Sequence, residues 1–132
     1  MLAGYCADIV LNRNELPLVY AEVDHRYWVK WMENWLSGIS DQPPPFDSRL
    51  CRFGVWYHGE GKSQYGHMAE FRNIDAVHEK VHRVGRELVA HKLANHLDEA
   101  RANFMELSAL RDTLAGKLLA LSSALSEARK SR

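Results

Sequence analysis

The sequence predicts an all-α protein, an antiparallel four-helix bundle with three long helices and one short helix after a Pro-rich loop. Three observations carry this. Apolar residues recur every three or four positions through three long stretches. No segment alternates apolar and polar with the period of two that a strand requires. The stretches are separated by breaks rich in proline or glycine.

The first helix is expected from Leu16 or Pro17 to Ile39. Leu18, Ala21, His25, Trp28, Met32, Trp35 and Ile39 fall on one face. Residues 40–47 contain Pro43, Pro44 and Pro45, which exclude helix and define a loop. Asp47 or Ser48 can cap a short second helix carrying Cys51, Phe53, Val55, Trp56 and Tyr57. Three glycines within residues 59–66 are expected to end it. A third helix starts near Met68, with Phe71, Ile74, His78, Val81, His82, Gly85, Leu88 and Val89 as its apolar stripe. The chain turns near Asn95 and His96. A fourth helix then carries Phe104, Leu107, Arg111, Leu114, Leu118, Leu121 and Leu125 at the same spacing, read as ordinary core, with a dimerisation ladder as the alternative. The expected organisation is an N-terminal extension at 1–15, a helical domain at 16–128 and a tail at 129–132.

Composition narrows the function classes. The chain has 132 residues, 46% apolar and 26% charged, which suits one globular domain. Lys+Arg and Asp+Glu both total 17, so charge offers no argument for nucleic acid or an anionic membrane as partner. No apolar run approaches a membrane span, and residues 1–10 lack the basic leader of a signal peptide. Cys6 and Cys51 do not form a disulfide scaffold, so a reducing cytoplasm is the expected setting.

Among seven histidines, His58, His67, His91 and His96 fall in loops or off the stripes and read as surface residues. His25, His78 and His82 instead replace apolar residues inside core-facing stripes. A buried imidazole with unmet nitrogens costs about 1–3 kcal/mol, so three in one small core suggest a shared partner. His78 and His82 are four residues apart and project from adjacent turns of one face. Cys51 falls in the first turn of the short helix, where the helix dipole favours thiolate. Three nitrogens and one thiolate match a tetrahedral zinc site. The competing reading is three satisfied core histidines and a small apolar cysteine.

The blocks His25-x-x-Trp28, Cys51-Arg52-Phe53-Gly54-Val55-Trp56-Tyr57, Gly59-Glu60-Gly61, Tyr65-Gly66-His67, and Phe71 through Asp75-x-x-His78-x-x-x-His82 occur in that order. Together they resemble the chemoreceptor zinc-binding domain family of bacteria, from about residue 20 to residue 125. The resemblance implies that His25, Cys51, His78 and His82 are zinc ligands in a four-helix bundle with one extra short helix. It implies a homodimer, and a link to a chemoreceptor or diguanylate cyclase whose activity zinc adjusts. Nothing in 132 residues is long enough to be that output domain. Around such a site, Asp75 could accept a ligand ring's N–H, and Trp28 and Trp56 could wall it off from water. Gly85, mid-helix, is expected where another helix approaches closely.

His78-Glu79-Lys80-Val81-His82 also matches the H-E-x-x-H pattern of zinc proteases. Leu88 stands where the longer form needs its third histidine, although Glu99 is available downstream. No strand is expected to hold a substrate, so protease chemistry is set aside. A di-iron bundle fails for want of inward carboxylates beyond Asp75. Three functions remain: a zinc sensor, an oxidant sensor acting through the Cys51 thiolate, and a structural zinc-stapled dimerisation module.

Overall fold

The computed structural model describes residues 15–44 and 51–130. The described residues form three long helices and one short, kinked helical segment, with no strand. Cys6, Pro45 and the capping candidates Asp47 and Ser48 lie outside the described residues.

Helix α1 spans Leu16–Leu36, with Pro17 in its first turn, where a missing N–H leaves nothing unpaired. It buries Leu18, Ala21, His25, Trp28, Val29, Met32 and Trp35, the stripe that its periodicity predicts. Its end is earlier than expected. Gly38 adopts a left-handed φ of 83°, its N–H bonds Trp35 O, and the Ile39 N–H bonds Asn34 O. Glycine reaches that φ without a Cβ clash, and the paired bonds close the helix. Ile39 therefore leaves the stripe and is 76% exposed. The loop that follows is tied to α1, because the Trp31 indole N–H reaches both Ser40 Oγ and Gln42 O.

Helix α2 spans Arg52–Trp56. Cys51 is its N-cap residue, a correction to its expected place in the first turn: its backbone is extended and its Sγ accepts the Gly54 N–H at 3.2 Å. Of the three glycines expected to end this segment, Gly59 and Gly61 do not, and the run stops only at Gly66. The chain runs through a π-helical turn, Tyr57–Gly61, into α3 at Lys62–Tyr65. Gly59, at φ −109° and ψ −105°, bends the path within it.

Helix α4 spans Ala69–Leu93 and buries Phe71, Ile74, Val77, His78, Val81, His82, Val84, Gly85, Leu88 and Val89. Asn95 takes a positive φ of 63°, while its N–H bonds Lys92 O and the His96 N–H bonds His91 O, which ends α4 as Gly38 ends α1. Helix α5 then spans Leu97–Lys130. Its leucines at 107, 114, 118, 121 and 125 are buried core. Helices α4 and α5 pack along each other, α1 packs on α5, and α2 packs on α1. His91, expected on the surface, is half-buried between α4 and α5 with Nδ1 2.6 Å from Asn103 Oδ1.

Two contacts join distant parts of the chain. Glu15 is buried, and its Oε2 accepts bonds from Tyr65 Oη at 2.8 Å and Arg129 Nη1 at 2.7 Å, so the start of α1 is fastened to α3 and to the end of α5. Gly85 faces α1: a Cβ there would come within 2.3 Å of Trp28 Cη2. The missing side chain lets the Trp28 ring lie against α4.

Gly85→Ala tests that contact. Helix propensity alone would gain about 1 kcal/mol, but overpacking against an indole costs about 1–3 kcal/mol. The variant is expected to be destabilised in urea unfolding. Equal or greater stability would show that Trp28 does not need the glycine.

Candidate metal centre

His25 comes from the middle of α1, Cys51 from the cap of α2, and His78 and His82 from successive turns of α4. One potential ligand atom from each lies within 4.8 Å of all the others. His78 Nε2 is 3.0 Å from His25 Nε2 and 3.4 Å from Cys51 Sγ. Tetrahedral zinc with ordinary bond lengths separates two nitrogens by about 3.3 Å and a nitrogen from a sulfur by about 3.6 Å. The described geometry is thus a few tenths of an ångström from what such an ion needs. The three histidines are buried at 3%, 0% and 2% exposure for His25, His78 and His82, and Cys51 is partly buried.

Local chemistry prepares the donors. The Ala21 carbonyl one turn earlier can only accept, so His25 Nδ1, at 2.7 Å, carries the proton and donates it. In the neutral ring this leaves the Nε2 lone pair facing His78. Burial lowers the pKa of His25, against the smaller opposing effects of the Ala21 bond and Asp24. Burial, followed by repulsion from His25, His82 and His58, pushes His78 down to about 2. Both rings are neutral at physiological pH, which is the state that ligates metal. Cys51 Sγ receives the Gly54 N–H at the start of α2, a contact that favours thiolate. His78 Nδ1 is buried without a hydrogen-bond partner. Such a set of neutral nitrogens and a capped sulfur fits zinc, and these four residues could hold it with no coordination position left for a substrate water.

The walls are aromatic. Trp28 lies 4.9 Å from the His82 ring, centroid to centroid. Phe53, to which no site role attached from sequence, sits edge-on to His78 at 5.1 Å and near His25 at 6.0 Å. Its signal was available in its position two residues after Cys51. Trp56 stands one layer back, against Phe53, Tyr65 and Phe71. Asp75 Oδ1 does not bond a ring of the cluster; His58 Nε2 faces it at 3.7 Å. Arg52, beside Cys51, makes two bonds to Asp24 on α1, at 3.0 and 2.8 Å, and its guanidinium lies over the Tyr20 ring. This pair pins the start of α2 to α1. Glu79, the would-be base of the H-E-x-x-H match, groups with His58 and Asp75 instead of with the four.

Fold and site together define a small helical protein with a buried cluster of three imidazoles and one cysteine sulfur that could hold a metal ion. Residues 25–89 match the family model of the chemoreceptor zinc-binding domain. The domain that this model describes binds zinc, and the four residues brought together here form a possible site for it. The match begins at His25 and ends beyond His82, so it spans all four clustered residues. No curated protein and no solved structure matches the chain.

The depressed histidines set a pH dependence. With folded pKa values below the usual 6.5, the unfolded chain binds more protons in the acid range. The stability they contribute is fully present above pH 6.5 and is lost as pH falls below it, by about 1.4 kcal/mol per pH unit for each such ring. Urea unfolding with chelator present is expected to show a lower midpoint at pH 5 than at pH 7.5. A midpoint unchanged or higher at pH 5 would contradict neutral burial.

Proposed function

We propose that this chain is a zinc-responsive regulatory domain, non-enzymatic and cytoplasmic, whose site residues are His25, Cys51, His78 and His82. The convergence of four donors from three separate helical elements on one buried point carries the reading. An ion held there would join α1, α2 and α4, so occupancy would favour one arrangement of an antiparallel bundle over others. Helices α1 and α5, fastened at Glu15 and Arg129, are suited to pass that change to an attached output domain or a signalling partner. Trp28 shields the site from solvent, and Trp56 supports Phe53 from behind. Among the described residues no helix is long and apolar enough to cross a membrane.

A homodimer forms part of the proposal. Val19, Val23 and Tyr27 stand exposed on α1 at four-residue spacing, with Tyr20 next to Val19. An apolar row of that kind favours a second helix of like character.

A second reading, oxidant sensing, is favoured by a cavity of about 370 Å³ lined by Val23, Trp28, Trp31, Phe53 and three of the four donors, His25, Cys51 and His82. A small neutral oxidant could reach the sulfur through it. Hypochlorous acid would transfer its oxygen to the thiolate, giving sulfenic acid and chloride, with sulfur giving up two electrons. The product is a poorer ligand than thiolate.

Zinc titration separates these readings from a metal-independent fold. Wild-type protein is expected to bind one zinc tightly in the buried cluster. Cys51→Ala should weaken it by more than the about 10–100-fold typical of outer-sphere changes. Unchanged affinity would remove Cys51 from the site. Mass spectrometry after brief exposure to hypochlorous acid tests the second reading: an oxygen adduct on Cys51 with zinc release is expected, and neither would restrict the protein to sensing the metal itself.

A further inference from the structure

Outside the buried cluster, a second group of metal-binding side chains stands on the same helix. Asp75 and Glu79 are four residues apart, so their carboxylates share one face of α4. His58 is brought opposite them by the π-helical turn that Gly59 bends. One donor atom from each of the three lies within 4.8 Å of the others. His58 Nε2 is 3.7 Å from Asp75 Oδ1 and 4.0 Å from Glu79 Oε1. Those distances are too long for hydrogen bonds. They exceed the separation of neighbouring ligands on a divalent transition metal, about 3.0–3.4 Å, by roughly 0.3–1 Å. These are half-exposed side chains that can move that far.

A second observation marks the group as more than a surface charge pair. Asp75 Oδ1 is buried beneath the surface and has no hydrogen-bond partner, although the side chain as a whole is 48% exposed. A carboxylate oxygen withdrawn from water and left with unspent lone pairs is unfavourable, and it is this atom that faces His58. A cation between them would satisfy it and would relieve the repulsion between two carboxylates on adjacent turns.

We propose that His58, Asp75 and Glu79 form a second divalent-cation site, exposed and weaker than the buried one, for a first-row transition metal. One imidazole and two carboxylates give a borderline donor set with two negative charges, which selects zinc, cobalt or manganese over calcium and magnesium through the nitrogen. Three protein ligands at the surface leave the remaining positions to water. The two sites share α4: Asp75 is one turn before His78, and Glu79 follows it. Metal can therefore be collected at the surface beside the place where it is buried.

Cobalt titration of the purified chain tests this independently of the buried site. Two equivalents are expected. The buried cluster gives thiolate-to-cobalt charge transfer in the near ultraviolet with intense visible bands, and the surface site gives weak visible bands alone. His58→Ala and Glu79→Gln should each weaken the second equivalent at least about 10-fold. Both should leave the charge-transfer signal in place, which also reports that the fold is intact. In Cys51→Ala the charge-transfer band should vanish while the weak second site persists. One equivalent in the wild-type chain at millimolar cobalt, or a second equivalent indifferent to both surface substitutions, would overturn the proposal.

Discussion

The structure is organised around the burial of three imidazoles and a thiol-bearing cap at one point. Polar nitrogens placed in a core of leucine, valine and aromatic rings are unfavourable unless something satisfies them. His25 spends one nitrogen on Ala21 O, and its other nitrogen joins Nε2 of His78 and the sulfur of Cys51 in a shared cluster. A domain of this size has little core to spare for such an arrangement. The surrounding features serve to hold the donors together.

Those features act on different elements. Gly85 admits Trp28, which sets the spacing of α1 and α4 beside His82. The Asp24–Arg52 pair holds the start of α2 against α1, and Cys51 is the residue immediately before. An exposed ion pair of this type contributes little to stability, but it restricts where the cap residue can sit. Phe53, buried next to it, closes the aromatic side of the cluster. The donor cluster is therefore built from α1, α2 and α4, and α5 contributes a leucine-rich support that α1 and α4 both pack against.

The two classes of metal donor on α4 illustrate how one helix can serve two environments. Residues 78 and 82 point into the core and carry imidazoles, and burial holds that of His78 neutral. Residues 75 and 79 sit toward the surface and carry carboxylates, which need partial hydration. The literal H-E-x-x-H string mixes the two faces, so its resemblance to a protease motif reflects residue order and not shared geometry. Glu79 is turned toward His58, on the side away from the imidazoles it would have to assist.

Much of the molecule was legible before any coordinates. The three long helices and their buried faces follow from a 3.6-residue period, because burial of one stripe is a local property of each segment. The histidines at 25, 78 and 82 stood out for the same reason: each interrupts an apolar stripe. What periodicity could not supply was the ending of elements and the meeting of distant groups. The stop at Gly38 depends on a left-handed residue and two specific hydrogen bonds, Gly59 bends a helical run that ends only at Gly66, and Cys51 caps a helix it was expected to lie within. The facing of Asp75 toward His58, the place of Phe53 beside the imidazoles and the Glu15–Arg129 closure join residues 17 to 114 positions apart. Sequence by itself determined which residues are hidden and which of them are chemically out of place; tertiary structure alone decided which of these meet, because the separation of two side chains across helices depends on packing at every contact between them.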